Sequence, residues 1–173
     1  MRSGLALLFG AAALVGCQIL GPSEEPRATA QLKPLGSHKA FGEVTFDQMG
    51  KKVRLVANVQ GLAPDREHGF HIHEVGDCNS ADGMSAKGHF NPFGKPHGHF
   101  QSGERHAGDL PALKADQNGR AKLEVELDTV TVTPGPASIV GRGLIVHADP
   151  DDYKTQPTGN AGARLACAVI QRS

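Results

Sequence analysis

The segment Phe70-His71-Ile72-His73 sets two imidazoles two residues apart, so on an extended strand both leave the same face and can reach one ion. Taken alone, such a pair is more often just two half-exposed strand residues. Company follows along the chain: His89, His97, His106 and Asp109 supply three imidazoles and a carboxylate, a donor set suited to four-coordinate tetrahedral zinc. His147, at the end of a further apolar run, adds another imidazole. Seven candidate ligands imply either two sites with an open position or one ligand shared by two ions, since an imidazole deprotonated at both nitrogens can bridge a pair of cations. Imidazole suits copper and zinc alike, so ligand type permits a mixed pair without choosing it.

These residues must be held by the rest of a 173-residue chain that is 39% hydrophobic and 5% aromatic, with 22 Gly and 11 Pro. That length suffices for one compact domain with a true core. The Gly and Pro content, without a long amphipathic period, indicates short strands and turns instead of helices. Eighteen Lys and Arg balance 18 Asp and Glu, which argues against binding nucleic acid or an anionic membrane through bulk charge. Alternation is clearest over Ala121 to Asp128, where apolar and charged residues take turns, and it recurs at Val53, Leu55, Ala57 and Val59. Leu144 to His147 and Leu165 to Ile170 are shorter apolar runs. Asp47-Gln48-Met49-Gly50, Pro64-Asp65, Asn118-Gly119 and Thr133-Pro134-Gly135-Pro136 read as turns. The expected fold is all-β, a Greek-key antiparallel sandwich or barrel. Two long segments, Glu74 to about Ala115 and Ala148 to Ala163, interrupt it and carry or border six of the nine histidines.

The N-terminus reads as an export signal. Arg2 precedes an apolar run from Leu5 to Val15, too short for a spanning helix, and Leu14-Val15-Gly16-Cys17 resembles a bacterial lipobox. The expected organisation is a signal peptide over 1–16, a tether over 17–36 carrying a lipid on Cys17, and a domain over 37–173. Gln18 after the Cys favours the outer membrane of a Gram-negative bacterium, which places the domain in the cell envelope or periplasm and leaves the leaflet open. Export places Cys78 and Cys167 in an oxidising compartment as an even pair, and a disulfide between them is expected.

Four stretches together resemble a known family. They are Gly69-Phe70-His71-Ile72-His73-Glu74, Gly88-His89-Phe90-Asn91-Pro92, Glu104-Arg105-His106-Ala107-Gly108-Asp109-Leu110, and Thr158 through Cys167. In that order they are similar to the copper/zinc superoxide dismutases, in their exported bacterial branch, over about Ala40 to Ile170. The resemblance implies an immunoglobulin-like sandwich. It implies copper held by His71, His73, His89 and His147, and zinc by His89, His97, His106 and Asp109, with His89 as the bridge. Asp151 corresponds to the carboxylate that orients ligands of both metals, Arg164 to the cation beside copper, Thr158 to the facing wall, and Cys78–Cys167 to the family disulfide.

The implied reaction is dismutation of superoxide to O2 and H2O2, with electrons exchanged at copper, zinc fixing the loop, and His89 carrying a proton. Arg164 would dock the small anion by charge and hydrogen bonding. An exported metal reservoir and a zinc hydrolase are the competing readings. The hydrolase suffers because three His and one Asp close the zinc shell, and the reservoir because a metal store needs no docked anion. The segment from His147 to Thr158 is shorter than in eukaryotic members, which leaves the steering lysine unassigned. The oligomeric state also stays open, a homodimer included.

Overall fold

A computed structural model describes residues 25–173. The signal segment 1–16 and Cys17 lie outside the described residues. Ten strands run β1 (Arg27–Pro34), β2 (Phe41–Met49), β3 (Lys52–Gln60), β4 (Glu67–His68), β5 (Phe70–His73), β6 (Leu113–Lys114), β7 (Ala121–Leu127), β8 (Gly143–His147), β9 (Arg164–Val169) and β10 (Gln171–Arg172). The only described helix is a single 3₁₀ turn, Met84–Ala86. All pairing in the main sheet is antiparallel, in the order β5-β8-β9-β1-β2-β3-β7, with β10 also on β1. The sheet curls about β1, which pairs with β2 along most of its length and with β9 through Lys33 and Pro34.

Chain connections from β3 to β5 and from β7 to β8 cross between the two halves, which is Greek-key behaviour. The core fills the space the curl encloses. Phe46, Leu55 and Leu127 from one half meet Phe70, Ile72, Leu144 and Ala166 from the other, all buried. Each large side chain so buried contributes roughly 1.5–3 kcal/mol. On β3 the alternation expected from sequence is met: Val53, Leu55, Ala57 and Val59 are buried while Arg54, Asn58 and Gln60 face water.

Two expectations need correction. The sequence places a tether through residue 36, yet Arg27–Pro34 is a full strand of the sheet, with Ala28, Ala30 and Leu32 buried. Its inward face is mostly alanine, which carries little hydrophobic signal, and the prolines at 26 and 34 mimic a linker. Asp47, Gln48 and Met49 likewise belong to β2, and the turn falls at Gly50, whose φ of 59° suits glycine.

The function-bearing loops hang on the β5 edge and on the ends of β8 and β9. The long connection from Glu74 does not wander off. It docks its own backbone on β5 through Phe90 N to Ile72 O (2.8 Å), Ile72 N to Gly108 O (2.9 Å) and Glu74 N to Gly88 O (2.9 Å). This lines up His73 with His89 and His71 with Asp109 as isolated bridges. Gly108 has no alternative, since a Cβ there would overlap the Ile72 carbonyl.

Candidate metal centre

The donor atoms of His71, His73, His89 and His147 lie within 4.8 Å of one another, as do those of His89, His97, His106 and Asp109. All are buried, and His89 belongs to both groups. The strand period puts His71 and His73 on one face, as expected. A bulge between Val146 and His147 shifts the β8–β9 register, so that Arg164 stands opposite His147.

Hydrogen bonds decide which nitrogen of each ring is free to bind metal. His73 Nδ1–H donates to the Lys87 carbonyl (2.8 Å) and His147 Nδ1–H to the Gly162 carbonyl (3.4 Å), leaving both Nε2 atoms as lone pairs 3.4 Å apart. The rings of His71 and His97 donate from Nε2 to the two oxygens of Asp151, at 2.7 and 2.9 Å, which leaves His71 Nδ1 without a partner and turns His97 Nδ1 toward Asp109. One carboxylate thus orients a ring in each group. Asp109 Oδ1 gathers the Nδ1 atoms of His89 (2.8 Å), His97 (3.0 Å) and His106 (3.4 Å).

Three buried ring nitrogens have no hydrogen-bond partner: His68 Nε2, which lies outside both donor groups, and two within them, His71 Nδ1 and His89 Nε2. The latter two belong to the four-histidine group. Buried polar atoms are ordinarily satisfied, and a soft or borderline cation accepting both lone pairs resolves the exception. His89 therefore faces one donor group with each nitrogen, which is the geometry a bridging imidazole needs.

Electrostatics point the same way. Burial first, and neighbouring imidazoles second, push His73 and His147 well below the ordinary imidazole value. Burial and the His71 ring likewise bring His89 down to about 3, so these rings stay neutral ligands. Burial would also lower His97, but the Asp109 and Asp151 carboxylates outweigh it and hold that ring at about 9. Burial acts to raise Asp109 and Asp151, yet imidazole partners keep both below the usual carboxylate range. Neither carboxylate touches a Lys or Arg among the described residues. Two buried anions so placed draw positive charge into the cluster, and a bound cation meets that need.

A cavity of about 740 Å³ opens on the four-histidine side, with His73, His89 and His147 among its lining residues and Thr158 and Arg164 on its walls. Arg164 is the one permanent cation among the described lining residues. Its guanidinium is fixed by Nη1–H to the Gly83 carbonyl (2.7 Å) and Nη2–H to the Lys87 carbonyl (2.6 Å). The Cys78–Cys167 disulfide ties the segment carrying those carbonyls to β9, three residues from Arg164 itself.

The seven candidate ligands, Asp151, Thr158 and Arg164 lie together, while Cys78 and Cys167 pack in a separate small cluster with Leu35, Ala86 and Ile145. Others do not join the site. His99 is exposed and packs on the Tyr153 ring at 4.6 Å, away from both groups. His68 is buried and donates Nδ1–H to the His147 carbonyl (2.8 Å), so it steadies β8. Sequence reasoning missed the carbonyls of Gly83 and Lys87, which no side-chain type advertises. It also missed Gly159, where a Cβ would overlap Asp151 Oδ1.

A curled antiparallel sheet that sets a four-imidazole group against a three-imidazole, one-carboxylate group, under an arginine-walled cavity, defines a two-metal β-fold for small-anion chemistry. The family model for copper/zinc superoxide dismutase (SODC) matches residues 40–170. Superoxide dismutase [Cu-Zn] 2 of Aquifex aeolicus is 40% identical over 137 residues, covering 77% of this chain and 80% of that protein. The Cu-Zn enzyme of Paramecium bursaria Chlorella virus 1 is 46% identical over 136 residues, covering 75% and 71%. The crystal structure of the clock protein EA4 superposes with a TM-score of 0.77 at 37% identity, covering 87% of this chain and 97% of that one. The chain belongs to the copper/zinc superoxide dismutase family, with copper and zinc as cofactors and superoxide as substrate.

Proposed function

We propose that His71, His73, His89 and His147 hold copper, that His89, His97, His106 and Asp109 hold zinc, and that Arg164 docks superoxide. The single observation carrying this assignment is the pair of buried, unpartnered nitrogens on His71 and His89, directed into the group that adjoins the cavity. When bound, copper supplies one-electron exchange, taking an electron from one superoxide and giving it to the next, so that two superoxides and two protons yield O2 and H2O2.

The chain's residues handle orientation and protons. Arg164 presents a fixed cationic fork on the cavity wall, held rigid by two carbonyls, so a small anion meets preset donors. Thr158 lines the same cavity. His89 can hold a proton at Nε2 on the cavity side while Nδ1 stays directed at Asp109. Asp151 accepts from Nε2 of His71 and of His97, which leaves His71 Nδ1 without a partner and His97 Nδ1 turned toward Asp109.

The shared imidazole is tested by replacing zinc with cobalt(II). Two paramagnetic ions on one imidazolate couple magnetically, so the copper EPR signal should collapse. An undiminished signal would refute the bridge. Superoxide decay with copper and zinc loaded, compared with zinc alone, tests where the redox work lies, and equal rates would defeat the copper assignment.

The proposal extends to location: the enzyme works in the cell envelope, anchored through lipid on Cys17, and removes superoxide outside the cytoplasm. The lipobox-like Leu14-Val15-Gly16-Cys17 and the Cys78–Cys167 disulfide support this, since disulfides persist in oxidising compartments. Cys17→Ser should move the protein from the membrane to the soluble fraction, and continued partitioning with membranes would refute the anchor.

A further inference from the structure

Of the residues in the zinc group, His97 arrives by the weakest route. His89 and Asp109 ride on backbone docked to β5, and the His106 amide donates to Asp109 Oδ2 at 2.9 Å. His97 comes instead from the stretch between Pro92 and Glu104, where only His97 and Gly98 are buried. Neither its amide nor its carbonyl joins a backbone–backbone hydrogen bond among the described residues.

Both groups are met by one side chain from the other long loop. The His97 N–H donates to Gln156 Oε1 at 2.9 Å, and Gln156 Nε2 donates to the His97 carbonyl at 2.9 Å. A carboxamide carries the same donor and acceptor as a peptide group, so Gln156 supplies His97 with the two bonds that a neighbouring strand would otherwise give. Asp151, five residues earlier on the same loop, holds the His97 ring from its far nitrogen at 2.9 Å. Gln156 and Asp151 together fix backbone and ring, leaving Nδ1 aimed at Asp109.

We infer that Gln156 is a positioning residue for zinc: its side chain acts as a one-residue strand mimic that fixes His97 and sets how firmly the metal is retained. The inference rests on the assignment of His97 to zinc made above. It also gives the short His147-to-Thr158 segment a task, because the same two bonds tie the cavity wall at Thr158 to the zinc loop.

The test uses the full chain loaded with copper and zinc. Zinc release into a competing chelator is timed for the parent, Gln156→Ala, Gln156→Glu, Thr155→Ala and His97→Ala. The absorption spectrum of cobalt(II) placed in the zinc site is recorded for each. Outer contacts of this kind are typically worth about 10–100-fold in metal retention. Gln156→Ala should therefore release zinc faster by about that factor and distort the cobalt spectrum. Gln156→Glu keeps the acceptor for the His97 amide and should fall between Ala and the parent. Thr155→Ala cuts a loop bond to Asp152 without touching His97 and should resemble the parent. The clamp is overturned if Gln156→Ala releases zinc within about twofold of the parent while His97→Ala releases it rapidly. It is equally overturned if Thr155→Ala accelerates release as much as Gln156→Ala, since generic loop loosening would then be the cause. Should His97→Ala leave release unchanged, the zinc assignment itself fails and the clamp falls with it.

Discussion

Replacing Lys87 by glycine should make the protein more stable although it deletes a side chain and adds no contact. Lys87 has φ 61° and ψ −146°, close to the region that glycine alone ordinarily occupies. Its carbonyl explains why the strain persists: that one oxygen accepts from His73 Nδ1 at 2.8 Å and from Arg164 Nη2 at 2.6 Å. An L residue so placed costs about 1–3 kcal/mol. Glycine removes that cost but returns about 0.4–1 kcal/mol through the greater freedom of its unfolded chain. The lysine side chain is exposed, so no packing is lost. The net gain is about 1 kcal/mol. In a chain of this size it corresponds to a thermal midpoint higher by about 2–4 °C. Differential scanning calorimetry of parent and Lys87→Gly at matched copper and zinc content measures it, since bound metal shifts the midpoint by mass action. Glycine keeps the carbonyl, so both hydrogen bonds and metal content should be unchanged. A midpoint equal to or below that of the parent would refute the claim that the backbone is strained in order to serve His73 and Arg164.

Other perturbations separate the parts of the site. Arg164→Ala should keep both metals yet lower kcat/KM on the order of tenfold or more and flatten its dependence on ionic strength; pulse-radiolysis kinetics against salt decide it, and an unchanged slope would remove the docking role. Asp151→Asn should weaken copper and zinc together by about 10–100-fold, read by chelator competition for each metal, and loss of only one metal would contradict its double contact. Replacing Cys78 and Cys167 together by Ser opens a span of 89 residues and should cost about 4–5 kcal/mol on the chain-entropy account. It should also lower the catalytic rate, because the Gly83 and Lys87 carbonyls that aim Arg164 lose their tie to β9; an unaltered urea midpoint would count against it.

How much of this was legible in the chain depended on whether a role shows in side-chain type. Alternation in Val53–Val59 and Ala121–Leu127 revealed strands because each inward position there is apolar beside a charged or polar neighbour. The metal donors were visible because imidazoles and a carboxylate at motif spacing have few other uses. β1 was hidden because Ala28 and Ala30 bury almost nothing and Pro26 and Pro34 punctuate like a linker. Lys87 and Gly83 act through carbonyls, which every residue owns. Gln156 acts across 59 positions, a pairing that only the folded loops create.

Because a single carboxylate, that of Asp151, grips a ring in each donor group, the two ions are not independent tenants. Any shift of Asp151 that accompanies binding in one group is felt by the ring that serves the other. Thermodynamic reciprocity then requires copper to alter the hold on zinc by the same factor as zinc alters the hold on copper.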